Sequence, residues 1–249
     1  TEIKQNASAY FNAQNRAVTK ADYITRVYSL PQKYGNIAKA YIVQDEQLEA
    51  NGQLQVINGE VVDTRRNQPN TVQNPLALNM YLLGYNENKN LERINRAVKE
   101  NVKIYLSQYR LLTDAINLKD GYIINIGVKF DIIVKRGYNK NDVLFKAVQK
   151  VKEFFQVEKW QIGQPIILSD LAYQISLVDG VVSLVPPSTN NPNKELILIE
   201  NKRGGDYSSN TYDIESATKD GIIYPSLDPS IFELKFPNSD IEGKVVGDR

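Results

Sequence analysis

The chain has no cysteine and no histidine among its 249 residues, and it has a single methionine, Met80, and a single tryptophan, Trp160. The first two absences exclude disulfides, thiol nucleophiles, thiolate or imidazole metal centres and histidine acid–base catalysis. Most hydrolase constellations are closed on residue type alone. Carboxylate, Lys or Tyr chemistry stays open, as does an oxygen-ligand site for a hard cation. Long apolar runs are also missing, since none approaches the roughly 18 residues of a membrane-spanning helix, and no basic stretch followed by an apolar one marks a targeting signal. Charge of one sign is scarce. A formal net charge of +1 gives no global field toward nucleic acid or anionic lipid. The chain opens at Thr1 rather than Met, which reads as processing or as the C-terminal portion of a longer polypeptide.

What is present suffices for a sizeable core: 42% of residues are hydrophobic, and the length accommodates two domains of ordinary size. Arg16 to Val43, RAVTKADYITRVYSLPQKYGNIAKAYIV, holds the clearest local program. Thr19 is the expected N-cap, with Asp22 in the place of a capping-box acid. Tyr23, Val27 and Leu30 fall on one helical face, Pro31 stops the run, and Ile37 to Val43 follows as a β-branched strand.

Further along, Asn51-Gly52 and Asn58-Gly59 flank Leu54, Val56 and Val61, which predicts a small hairpin followed by a loop, and then a strand at Ala77 to Tyr85. Asn88 to Thr113 reads as a long helix with Leu91, Ile94, Val98, Val102, Tyr105, Tyr109 and Leu112 on one face. Lys89, Arg93, Arg96, Lys99, Lys103 and Arg110 occupy the other. That basic side is either a solvated face or a contact for an acidic neighbouring subunit. Nucleic acid fits it poorly, because the aromatics lie on the apolar side instead of between the cations. Gly121 to Lys135 alternates as a half-buried strand, and a second helix capped by Asn141 has Val143, Ala147, Val148, Val151, Phe154 and Phe155 as its apolar face. Ser169 is the expected cap of a third helix, with Leu171, Ile175 and Val178 inward; Asp179-Gly180 turns the chain into a strand at Val181 to Val185.

The unit of cap, short helix, breaker and strand thus occurs twice, each time beside a longer strand–helix partner at 77–113 and 121–157. The predicted fold class is α+β: two ferredoxin-like α/β sandwich domains in tandem, the second in permuted order, plus a C-terminal irregular or β segment. The expected boundaries are 1–15 for a linker from an upstream region, 16–115 for the first sandwich with a 44–74 insertion, 116–187 for the second, and 188–249 for the extension. The final stretch, 194–249, carries seven Lys/Arg and eleven Asp/Glu, a net of −4 against +5 for the rest. Its short apolar runs, broken by Pro and Gly, imply packing on its own domain or on a partner.

The pattern Arg16-x-Val18-Thr19-x-x-Asp22-Tyr23, the Pro-ended helix and the Ile37-Ala38-Lys39-Ala40 strand resemble the opening of the baseplate J-like family, and the likeness runs through residues 16–186. YDIESATKDGIIYPSLDPSIFELKFPNSDIEGKV is similar to the C-terminal end of the larger baseplate wedge subunit of T4-like contractile-tailed phages. The resemblance implies a structural wedge protein with no enzymatic role. Such a protein is present in repeated copies in an inner ring around the tail hub, and it moves when the baseplate changes state before sheath contraction. Its implied partners are other copies of itself, as a homodimer or through ring contacts, and other baseplate wedge proteins, with no nucleic acid and no membrane. Its place is the virion tail baseplate, assembled in the host cytoplasm. A carbohydrate-binding tail component and a nucleic-acid-binding module are the alternative classes; the first would need clustered Trp, the second a strand at 124–132 with alternating exposed aromatics and bases.

Candidate sites are correspondingly few. Lys202-Arg203-Gly204-Gly205-Asp206 lacks phosphate-loop spacing and reads as a tight turn between strands. Asp206, Asp213, Asp220 and Asp228 lack cation-loop spacing and read as turn residues. No catalytic, metal or cofactor residues are assigned. The candidate interface residues are Arg93, Arg96, Tyr207, Tyr212, Tyr224, Phe232 and Phe236; the five aromatics act either as partner anchors or as staples holding the tail to the second sandwich.

Overall fold

The computed structural model describes residues 16–44, 54–57, 60–63, 77–110, 115–187, 194–226 and 228–248. The chain is an α+β protein in two compact units, the first ending at Gly121 and the second beginning at Tyr122.

In the first unit, helix α1 (Lys20–Tyr28) is followed by strand β1 (Lys39–Gln44). The hairpin β2 (Leu54–Ile57) and β3 (Glu60–Asp63) pairs antiparallel, where alternating Leu54, Val56 and Val61 predict it. Strand β4 (Ala77–Tyr85) pairs antiparallel with β1 and, at its far end, with the two-residue β5 (Leu91–Glu92). Helix α2 (Arg96–Ser107) then carries the chain over to β6 (Ala115–Asp120), parallel to β4, as a parallel connection requires a crossover. Side-chain alternation turns Ala40 and Ile42 of β1 and Met80 and Leu82 of β4 toward one core. Tyr23 and Val27 of α1 and Val102 and Leu106 of α2 close it.

Capping sets the start of both helices in this unit. Thr19 and Asp22 form the predicted box: Asp22 N–H donates to Thr19 Oγ1 at 3.2 Å, while Asp22 Oδ2 accepts from the N–H groups of Thr19 at 2.8 Å and Val18 at 3.1 Å. The long helix expected over 88–113 is shorter. Asn86 Oδ1 accepts from the N–H groups of Asn88 and Asn90 and closes a turn, with Lys89 at φ 61. Asn95 Oδ1 then accepts from Val98 N–H at 2.9 Å and starts the helix at Arg96. Leu91 and Ile94 are buried as periodicity requires, but from a strand and a loop. Residues 111–113 lie outside the described residues.

The second unit is organised by β7 (Tyr122–Val134), 13 residues long and buried on both faces for most of its length. Helix α3 (Lys140–Phe154), strand β8 (Ile166–Ile167), helix α4 (Leu168–Ser176) and strand β9 (Val181–Val185) follow. Then come β10 (Ile197–Asn201), the single turn α5 (Ile214–Ala217), β11 (Thr218–Lys219), β12 (Ile222–Ile223), β13 (Ser230–Glu233) and β14 (Ile241–Asp248). Antiparallel β9 and β10 line one edge of β7, while β14 runs parallel to it along the other, with β13 parallel to residues 122–125. Residues 194–248 therefore complete the sheet. They bury Ile197, Ile199, Ile231, Phe232 and Leu234, more apolar surface than runs broken by Pro and Gly suggest.

Two cap expectations shift. Asn139 and not Asn141 caps α3, accepting from Asn141 N–H at 3.0 Å. Ser169 does not cap α4, which begins at Leu168 with no side-chain cap. The reason is the main chain: β8 pairs with β12, and Leu168 N–H donates to Gly221 O at 3.0 Å. The turn at Asp179-Gly180 forms as read, with Gly180 at φ 95.

Candidate functional site

No group of three or more Asp or Glu side chains is placed to hold a metal among the described residues. Of the widely spaced aspartates, Asp213 caps a helix and Asp206, Asp220 and Asp228 lie in turns or bends. Asp213 caps α5, and its hydrogen bond from Ser216 N–H holds its carboxyl below the usual range. Asp220 takes φ 54 in the turn before Gly221. Asp228 N–H donates to Ser226 Oγ at 3.3 Å. The Lys202–Asp206 stretch is a turn with Gly204 at φ 80 and Gly205 at φ 59, although no strand follows directly.

The tail aromatics pack largely on one another. Tyr207 meets Phe236 edge-on at 5.3 Å between ring centroids, and Tyr212 meets Phe232 at 5.8 Å. Phe232 is buried, and the Tyr212 hydroxyl donates to the Tyr224 carbonyl. Tyr224 itself is exposed. What fastens the tail is a set of buried polar groups that hydrophobic patterning does not register. Asn125 Nδ2 donates to Glu233 Oε2 at 2.8 Å, and Asn125 Oδ1 accepts from Ser208 N–H at 2.7 Å. Ser208 Oγ and Asn210 Nδ2 both donate to Ile123 O, at 2.7 and 2.9 Å. Asp240 accepts from the Tyr207 hydroxyl at 2.5 Å and from Phe236 N–H at 2.9 Å, while its carbonyl accepts from Val128 N–H at 2.7 Å. The Asp240 hydrogen bond, with burial behind it, pushes the Tyr207 hydroxyl up to about 12.

On β7, Lys129 pairs with Glu200 at 2.9 Å and Glu242 at 3.8 Å, which raises its pKa, chiefly through the Glu200 hydrogen bond. Phe130 is fully buried. The aromatic and the base of the 124–132 strand, Phe130 and Lys129, are thus engaged in the core and the sheet.

Of the cations expected on one helical side, Arg96, Lys99 and Lys103 lie on α2, Lys89 sits in the turn before it, and Arg93 and Arg110 flank the helix. Arg93, Arg96, Lys103 and Arg110 are exposed, whereas Lys99 pairs with Asp120 at 2.7 Å. Among these cations stands Ile104, 63% exposed, which lines a groove of about 250 Å³ with Glu100, Lys103, Ser107, Arg110 and Ile116. Ile104 belongs to no apolar stripe in the sequence. Its signal was an isoleucine at the helical phase of the cations. A second groove, about 360 Å³, lies in the other unit between the end of α3 and α4, lined by Phe154, Trp160, Lys150, Lys159 and Asp170 among others.

No protein-family model matches the chain, and no curated protein sequence matches it. By fold it is similar to a chain in the cryo-EM structure of the anti-feeding prophage (AFP) baseplate, 6-fold symmetrised, with a TM-score of 0.52 and 13% identity. The match covers 94% of this chain and 42% of that one, so this chain spans less than half the length of its neighbour. At that identity the likeness is one of fold.

Proposed function

We propose that this chain is a structural component of a contractile-tail baseplate, a wedge protein of the baseplate J-like kind, that associates with copies of itself and with other wedge subunits in the virion tail. The observation that carries this reading is the fold match over nearly the whole chain to a chain of a contractile injection baseplate. Residue chemistry agrees with it, because the groups the chain invests in buried networks fasten its own sheet and are not gathered around a cleft. Within this reading, Arg93, Arg96 and exposed Tyr224 are the contacts offered to neighbours, and Tyr207, Tyr212, Phe232 and Phe236 hold the segment that presents Tyr224. The work of the protein is then interface formation during assembly and interface rearrangement when the baseplate changes state.

Light scattering coupled to size exclusion over a concentration series tests self-association: the expected result is a dimer or larger species that grows with concentration. Co-sedimentation of a tagged copy with contractile particles tests the wider role. A chain that is strictly monomeric and absent from such particles would overturn the reading.

A further inference from the structure

The inner side of α2 is fully committed, with Val102 and Leu106 in the core and Val98 and Tyr105 packed against it. At about 100° per residue, Arg96, Glu100, Lys103 and Ser107 then share one outward stripe roughly 60° wide, and Ile104 lies beside it. Ile104 is 63% exposed at the rim of the groove, and buried Ile116 of β6 also lines it. Lys103 and Arg110 flank the opening, Arg93 and Arg96 extend the positive row toward the start of the helix, and Glu100 is the acid lining the groove.

We propose that this groove docks an acidic, amphipathic segment of a partner protein, one that seats a Leu- or Ile-sized side chain on Ile104 and lays carboxylates along Lys103, Arg110, Arg96 and Arg93. Two independent features set this chemistry. The row of cations calls for a polyanion, and an aliphatic side chain held in water in their midst calls for an apolar anchor at the same place. A nucleic acid meets only the first requirement. The aromatics that would stack its bases are turned away: Tyr105 and Tyr109 pack on each other with centroids 5.2 Å apart, and the Arg26 guanidinium covers Tyr109 at 4.4 Å. An acidic helix with one leucine between glutamates meets both, in the manner of helix-in-groove recognition.

The proposal names the partner chemistry of the assembly role and rests on that reading for the partner's existence. The test uses the intact chain and a fluorescein-labelled, alanine-based helical peptide carrying one leucine flanked by glutamates, read by fluorescence anisotropy. The same peptide with alanine for leucine, and an oligo-dT, serve as comparison probes. The leucine peptide is expected to bind about tenfold more tightly than its alanine counterpart. Ile104→Ser should erase that tenfold advantage, and Lys103→Glu should weaken both peptides by a similar factor; circular dichroism checks that these surface variants stay folded. Equal binding of the two peptides, tighter binding of oligo-dT, or an Ile104→Ser variant that still prefers leucine would each overturn the proposal. An Ile104→Ser variant that drops to monomer in light scattering, with no peptide bound by the wild type, would give the groove to a second copy and overturn it as well. Failed peptide binding beside intact self-association and particle incorporation removes the groove alone and leaves the assembly role standing.

Discussion

Asp240 is 2% exposed, and the three hydrogen bonds it accepts join the tail turn at 236–240, the loop at Tyr207 and the middle of β7. Tyr207→Phe deletes one of them and leaves a buried oxygen short of a donor, for an expected loss of about 1–3 kcal/mol in urea unfolding. The pH dependence has a definite sign. Folding raises the Tyr207 pKa from 10.0 to about 12, so between those values the unfolded chain has given up a proton that the folded chain retains. The contribution is whole below pH 10 and is lost as pH rises toward 12. Wild type should therefore lose more stability than Tyr207→Phe across that window, and parallel curves would show that the hydroxyl contributes nothing there. Glycine positions give a second residue-scale contrast. At Gly180, φ is 95 and an added Cβ would lie 2.7 Å from both Tyr138 Cδ1 and Val143 Cγ2, whereas Gly204, at φ 80, has open space. Gly180→Ala should cost about 2–4 kcal/mol and Gly204→Ala about 1 kcal/mol by the same measurement. Equal costs would mean that the backbone angle alone matters.

At the scale of elements, what could be read in the sequence is what neighbours in the chain decide. The Thr19–Asp22 box, the 77–85 strand and the 179–180 turn are local chemistry, and they stand where the residues place them. Thr19→Ala should accordingly cost about 0.5–2 kcal/mol in urea unfolding, and no measurable change would mean that Asp22 holds the helix start unaided. Leu91 shows the limit of periodicity, since a buried strand residue satisfies a helical spacing by coincidence. The row of cations around Arg93 and Arg96 was legible for the same local reason, but the groove beside Ile104 was not, because Ile116 reaches it from β6. The pairing of β13 and β14 with β7 was equally out of reach: Asn125 and Glu233 meet across 108 residues, and polar contacts at that range leave no period in the sequence. That pairing makes the tail integral to the second unit. Truncation before 194 removes β10, β13 and β14 from β7 and leaves it paired only with β9, along residues 131–134. The truncated chain should lose the cooperative unfolding transition of this unit in calorimetry, and a retained transition would show that the sheet survives without its tail.

For the whole molecule, a net charge of only +1 means that two copies meet with little long-range repulsion. Beneath that near-neutral sum, residues 194–249 carry −4 and the remainder +5, so a copy can present acidic surface to the basic surface of the next. Contacts of this kind are exposed ion pairs, each worth ~1 kcal/mol or less, and they fade once ionic strength shortens the screening length to a few ångströms. If they contribute to self-association, the association constant measured by light scattering should fall several-fold, up to about tenfold, between roughly 0.05 M and 1 M salt. Exposed apolar side chains predict the opposite trend, because Tyr224, Tyr173, Leu177 and Phe145 would be driven together more strongly by an excluded salt such as sulfate. A constant that falls in sodium chloride and recovers in sulfate would place charge and apolar contacts at the same interface; one that holds in chloride and rises in sulfate would leave the charge asymmetry without a part in assembly.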